Sequence, residues 1–118
     1  MRKTDSLGPF EQIVLTAVLL LRKQAYGVPI HKKVCELAEK DVNLGSMYVT
    51  LDRLEDKGYV SSWRGDPTPE RGWRPKRFFR VQPAGERALQ ESLATSRRLE
   101  EAAKGSWRGG KWKPGRAN

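Results

Sequence analysis

Phe10, Ile13, Val14, Ala17, Val18 and Leu21 recur at steps of three and four, which is one face of an amphipathic helix. Gly8-Pro9 ahead of them suits a helix start, since proline is tolerated in the first turn. The helix is expected to end near Arg22–Gln24, where cations sit well at its negative end, and Tyr26-Gly27 is a break. A second helix is expected from Val28 to Glu39, with Ile30, Val34 and Leu37 inward. Asp41-Val42-Asn43 connects it to a third, for which Asn43 is the N-cap. There Leu44, Met47, Tyr48, Leu51 and Leu54 recur at helical spacing, and Lys57-Gly58 closes the helix. Three short helices with tight connections predict a helix-turn-helix bundle.

The period then changes. Tyr59 to Arg64 and Arg77 to Val81 are aromatic and β-branched enough to be strands. The glycines and prolines between them exclude regular structure and predict a hairpin with a long tip. A long hairpin directly after a third helix is a wing. From Pro83 to Lys104 a thin stripe of Ala84, Ala88, Leu89, Leu93, Leu99, Ala102 and Ala103 predicts a fourth helix. So narrow a stripe is marginal alone and needs a partner, either the bundle or a second subunit. Residues 105–118 are Gly-rich, basic and aperiodic, and are expected to be disordered.

Composition adds a partner. The chain has 118 residues, enough for one domain, with 37% hydrophobic and 31% charged positions and a net charge of +9. The excess is not spread evenly: residues 59–81 carry +4 and 105–118 another +4, while 43–58 carry −1 and 82–104 are neutral. A chain of this sign meets a polyanion, either nucleic acid or an acidic membrane face. The apolar run Ile13–Leu21 is far shorter than the roughly 20 residues of a membrane span. Asp5 and Glu11 before it and Arg22-Lys23 after it argue against a signal peptide. A cytoplasmic protein without a membrane segment is therefore expected. One cysteine, Cys35, and one histidine, His31, exclude an intramolecular disulfide, a Cys-based zinc cluster and a His pair. No phosphate-binding loop, dinucleotide fingerprint or nucleophile elbow is present, so no cofactor and no enzyme activity is expected.

With Met47, Leu51 and Leu54 facing inward, the third helix turns Ser46, Val49, Thr50 and Arg53 outward, with Asn43 at its start and Tyr48 at the boundary. Small hydroxyl- and methyl-bearing residues near a helix N-terminus suit close approach to the major groove, and an arginine there suits guanine. On composition alone an ordinary amphipathic helix is equally compatible. The wing tilts the balance. Arg71, Arg74, Lys76, Arg77 and Arg80 fall within ten residues, interleaved with Trp73, Phe78 and Phe79. Such cations track a phosphate backbone or enter a narrow minor groove; by themselves they also fit a solvated charge run. Phe78 and Phe79 are expected to split between the core and a dimer side. Tyr48 either packs the helix pair and reaches a phosphate, or only packs. His31 and Cys35 are read as a surface residue and an inert thiol. The carboxylates of Asp52, Glu55 and Asp56 are read as a solvated face. Trp107 and Trp112 among the basic tail residues suit stacking on single-stranded nucleic acid or a plain polyanion tether, but an unstructured tail without a function is the favoured reading.

Residues 7–82 resemble the PadR family of bacterial transcriptional regulators. The resemblance is carried by Leu7-Gly8-Pro9-Phe10-Glu11 and Tyr26-Gly27. More specific are Asn43-Leu44-Gly45-Ser46-Met47-Tyr48 with Leu51-Asp52-Arg53-Leu54-Glu55-Asp56-Lys57-Gly58-Tyr59-Val60, and Gly72-Trp73-Arg74-Pro75-Lys76-Arg77-Phe78-Phe79. It implies a mostly α fold with a small β-hairpin: a winged helix-turn-helix with a C-terminal dimerisation helix. It implies a homodimer that represses at a palindromic operator in double-stranded DNA, often relieved by a small-molecule effector. By position, Ser46, Tyr48 and Thr50 would face DNA from the reader helix, and Arg74, Lys76 and Arg77 from the wing. Leu89, Leu93 and Leu99 would lie in the dimerisation helix. The chain departs from the family where Trp73 replaces a usual glycine and Phe78 and Phe79 replace usual tyrosines. Its C-terminal helix is also short. The expected organisation is a DNA-binding domain over 1–82, a dimerisation helix over 83–104 and a basic tail over 105–118. The rival reading is a winged-helix interaction module, or a charge-driven RNA-binding protein with no specific site.

Overall fold

In the computed structural model, residues 6–69, 72 and 74–108 are described. The elements run α1 (Pro9–Leu21), a 3-10 turn at Arg22–Gln24, α2 (Gly27–Ala38), α3 (Leu44–Asp56), β1 (Val60–Arg64), β2 (Arg77–Val81) and α4 (Pro83–Ala103). This is the winged helix-turn-helix that the apolar spacing predicts.

The first helix starts where Glu11 reaches back and accepts a hydrogen bond from the Gly8 amide at 2.9 Å, satisfying a donor the helix cannot pair itself. It is buried over a wider arc than the expected face. Val14, Ala17 and Val18 lie in the core as predicted, but so do Glu11 and Leu15, because α1 is the central helix against which α2, α3, β2 and α4 all pack. In α2 the buried row is Ile30 and Val34, continued by half-buried Ala38. That row steps by four, which leaves Leu37, expected inward, at its margin and 41% exposed.

Asn43 caps α3 as expected, its Oδ1 accepting from the Ser46 amide at 2.9 Å. The turn between α2 and α3 is fixed from within α2. Val42 carbonyl oxygen accepts from His31 Nε2 at 2.8 Å, and its amide donates to Cys35 Sγ at 3.4 Å. His31 is therefore half-buried and bonded to the turn rather than a surface residue.

The hairpin is antiparallel, pairing Val60 with Val81 and Arg64 with Arg77. On its other side β2 is also held: Phe79 N–H donates to Ala25 O at 2.9 Å, and Tyr26 bridges to Phe78. Phe79 fills the core at 1% exposure. Phe78 lies on the opposite face, against Tyr26 (centroids 5.4 Å apart) and stacked on Trp63 (5.8 Å). The two phenylalanines thus face opposite ways as expected, Phe79 into the core and Phe78 against Tyr26 and Trp63.

The fourth helix divides in two. At its start Gly85 lies against the backbone of Tyr59 so closely that a Cβ would collide with that carbonyl, and Leu89 is buried in the core. Beyond, Leu93 and Leu99 are 43% and 65% exposed.

Candidate nucleic-acid interface

The surface in question is built from α3 and the hairpin. Along α3, Ser46, Val49 and Arg53 follow at i, i+3 and i+7 and are all exposed, with Asn43 and Leu44 at the same end of the helix. Leu44 and Val49 are apolar side chains left in solvent on this face, which suits contact with a thymine methyl.

Thr50, expected outward, is buried at 4% exposure. It lies three residues after Met47 and four before Leu54, inside the apolar stripe, and its hydroxyl disguises that position in the sequence. Tyr48 packs the helix pair. Its hydroxyl lies against Gly27 in the first turn of α2, where a Cβ would run into it, so the crossing of α2 and α3 depends on a glycine.

The wing cations are not loose. Lys76 Nζ stands 4.2 Å from the centroid of the Tyr26 ring, and the Arg80 guanidinium 5.3 Å from that of Trp63. Arg77, expected to face DNA, is turned inward instead. Its guanidinium donates to Glu55 Oε1 at 2.8 Å, Asp52 Oδ1 at 3.2 Å and Ser62 Oγ at 3.3 Å. Its carbon centre sits 4.8 Å from the Phe79 centroid. The reason is register: Arg77 lies two residues before Phe79 and so shares the strand face that carries Phe79 into the core. Asp52 and Glu55 are accordingly partners of a wing residue: Asp52 stays exposed, as expected, while Glu55 is half-buried. Arg74 is exposed. Arg71 and Trp73 lie outside the described residues, as do Lys111, Trp112, Lys113 and Arg116 of the tail.

A second tie, which no local pattern in the chain announces, supports α3 from below. Lys57, just past its end, donates to both carboxylate oxygens of Glu11 at 3.1 and 2.9 Å. Burial pushes the Glu11 carboxyl up, but the Gly8 amide, Lys57 and the nearby Arg53 charge outweigh that and hold it below the usual carboxylate range.

Of the residues expected in the C-terminal contact, Leu93 and Leu99 are exposed. Leu89 is not available to a partner, because it falls in the two turns of α4 that pack on this chain's own core. Among the described residues no group of three or more His, Cys, Asp or Glu side chains could hold a metal ion. Nor is any helix among them long and apolar enough to cross a membrane.

Solved structures share this arrangement. A PadR-like transcription factor from Bacteroides fragilis is 26% identical over 79% of this chain and 84% of its own, with a TM-score of 0.65. A PadR family transcriptional regulator from Eggerthella lenta is 23% identical, covering 78% of each chain, at 0.64. One from Clostridium difficile is 19% identical over 81% of this chain and 95% of its own, at 0.62. The last two speak for the fold alone. No curated protein matches the sequence. The model of the transcriptional regulator PadR-like family matches residues 16–91, from the middle of α1 through the wing into α4. With the helix-turn-helix, the doubly held wing and that match together, the chain belongs to the PadR-like family of transcriptional regulators.

Proposed function

We propose that the protein is a homodimeric cytoplasmic repressor that reads a palindromic operator in double-stranded DNA. The observation that carries this is the outward face of α3. Ser46, Val49 and Arg53 stand exposed in one row, on a helix whose other sides are fixed by Asn43, by Gly27 against Tyr48 and by Lys57 on Glu11. A small-residue face on a rigidly seated helix suits major-groove readout. In this reading Asn43 and Tyr48 seat the reader helix, and Arg71, Arg74 and Lys76 supply phosphate contacts from the wing. Residues 1–82 are the DNA-binding domain. The helix over 83–104 dimerises through Leu93 and Leu99, and 105–118 is a basic tail. A two-fold would set the reader helices about 34 Å apart, one turn of DNA. Relief by a small molecule draws support from a cavity of about 750 Å³ between the end of α1, the hairpin and the start of α4, lined by Leu19, Leu21, Trp63, Phe78, Arg80 and Glu86.

The test is a titration against DNA from upstream of the protein's own gene and against a scrambled duplex, across a salt series. We expect a preference on the order of 10³ that survives near-physiological salt. Equal affinities that vanish together as salt rises would replace this reading with charge-driven binding. Arg74→Ala and Lys76→Ala should weaken binding to every sequence and flatten its salt dependence.

A further inference from the structure

We propose that Arg77 is a positioning residue, not a DNA contact: it latches the wing to the reader helix, and operator binding therefore requires two carboxylates, Glu55 and Asp52. The inference rests on the DNA-binding reading above for its functional consequence, and on the free protein for its geometry.

Arg77 opens β2 opposite Arg64, where the ladder meets the wing tip, and lies two residues before the core residue Phe79. Its Nε and one terminal nitrogen are committed to Ser62, Glu55 and Asp52. Ser62 closes the ring, since its hydroxyl donates to Glu55 at 2.9 and 3.1 Å while accepting from Arg77. The network spans three elements: α3 through Asp52 and Glu55, β1 through Ser62, and β2 through Arg77. The aromatic ring of Phe79 backs the guanidinium. Each of these donors and acceptors sets a direction, and together they fix where the hairpin leaves α3. An arginine fork suits this, since one planar group serves several acceptors at once. The ion pairs are partly exposed, with about a third of the Arg77 and Glu55 side chains open to solvent. Pairs this wet add little to global stability. Their effect is on orientation, and orientation matters because the wing and α3 must meet one duplex simultaneously.

The sign of one substitution separates the two roles. Glu55→Gln removes a negative charge from a surface that approaches a polyanion. If Arg77 touched phosphate, freeing it in this way would tighten binding. If Arg77 is a latch, Glu55→Gln weakens binding to the preferred operator about tenfold, as for residues within one coupled network, and leaves binding to scrambled DNA as strong or stronger. Arg77→Gln and Arg77→Lys should both cost the same, because lysine keeps the charge but not the fork. The Arg77→Gln, Glu55→Gln double variant should be no worse than the weaker single variant. The salt slope should stay that of the parent, whereas loss of one phosphate contact would lower it by about 0.9. Asp52→Asn serves as the milder variant, and a thermal melt of each protein confirms that it is folded. In the free protein, amide exchange across Arg77–Val81 should quicken equally in both single variants and no further in the double. Tighter binding by Glu55→Gln, additive losses or a reduced salt slope would overturn the latch. Hairpin exchange indifferent to both residues would overturn it without reference to DNA, and a parent with no preferred site would instead sink the functional reading while the exchange result still judged the latch.

Discussion

Gly27 shows how much a single missing methyl group can hold. It stands at the first turn of α2, and the Tyr48 phenol occupies the space a Cβ would take. Gly27→Ala must push Tyr48 aside or splay α2 from α3, and overpacking of this kind costs about 1–3 kcal/mol. We expect a lower melting temperature and weaker operator binding, with part of both restored when Tyr48→Phe is added, since the clash is with the hydroxyl. A second substitution without rescue would mean that the two residues are not in contact. Thr50 teaches the complementary lesson. Its polarity marks it as an outward residue, yet its spacing from Met47 and Leu54 puts it inside, and spacing prevails because a helix presents its faces by geometry, whatever the side chain carries.

Between elements, the ties are polar and long-range, and that is why they were hard to read. The helices themselves were legible. Apolar steps of three and four, Asn43, Gly58 and the prolines at 9 and 83 mark their bounds, and the observed ranges differ from the expected ones by a residue or so at the ends. The strands were legible from Val60, Trp63 and the Phe78-Phe79 pair. Nothing local announces that Glu11 meets Lys57, or that Arg77 meets Glu55, because each pair joins residues far apart in the chain. A charged side chain looks solvated until the fold brings its partner. The same holds for Ala25 and Tyr26, which border β2 although no strand pattern surrounds them. The Glu11–Lys57 tie carries a pH signature. Because the folded carboxyl titrates below its unfolded value, its stabilisation is fully present above the ordinary carboxylate range and is lost as pH falls through the lowered value. Glu11→Gln should therefore lower stability at neutral pH by about 2 kcal/mol, the scale of a charged hydrogen bond. Denaturant melts taken at successively lower pH should show that difference shrinking toward acid; a difference that grows instead would mean the carboxyl is not held ionised.

For the molecule as a whole, the dimer proposed above rests on the half of α4 that leaves the bundle. Leu93 and Leu99 lie exposed on a helix whose buried residues, Gly85 and Leu89, both fall near its start. Leu93→Lys with Leu99→Lys should leave a folded chain that sediments at half the parent's mass and loses operator affinity. A parent that is already monomeric in sedimentation would remove dimerisation from the proposal. The hydrogen bond from Phe79 to Ala25 has a kinetic meaning as well. It closes a loop of about fifty residues, and such a closure carries an entropic cost that local helix formation does not. Pairing of β2 with Ala25 is therefore expected to follow formation of the helices. Both the link from Ala25 into α2 and the wing tip lie inside the loop it closes, so a few residues inserted at either place should change the folding rate only slightly.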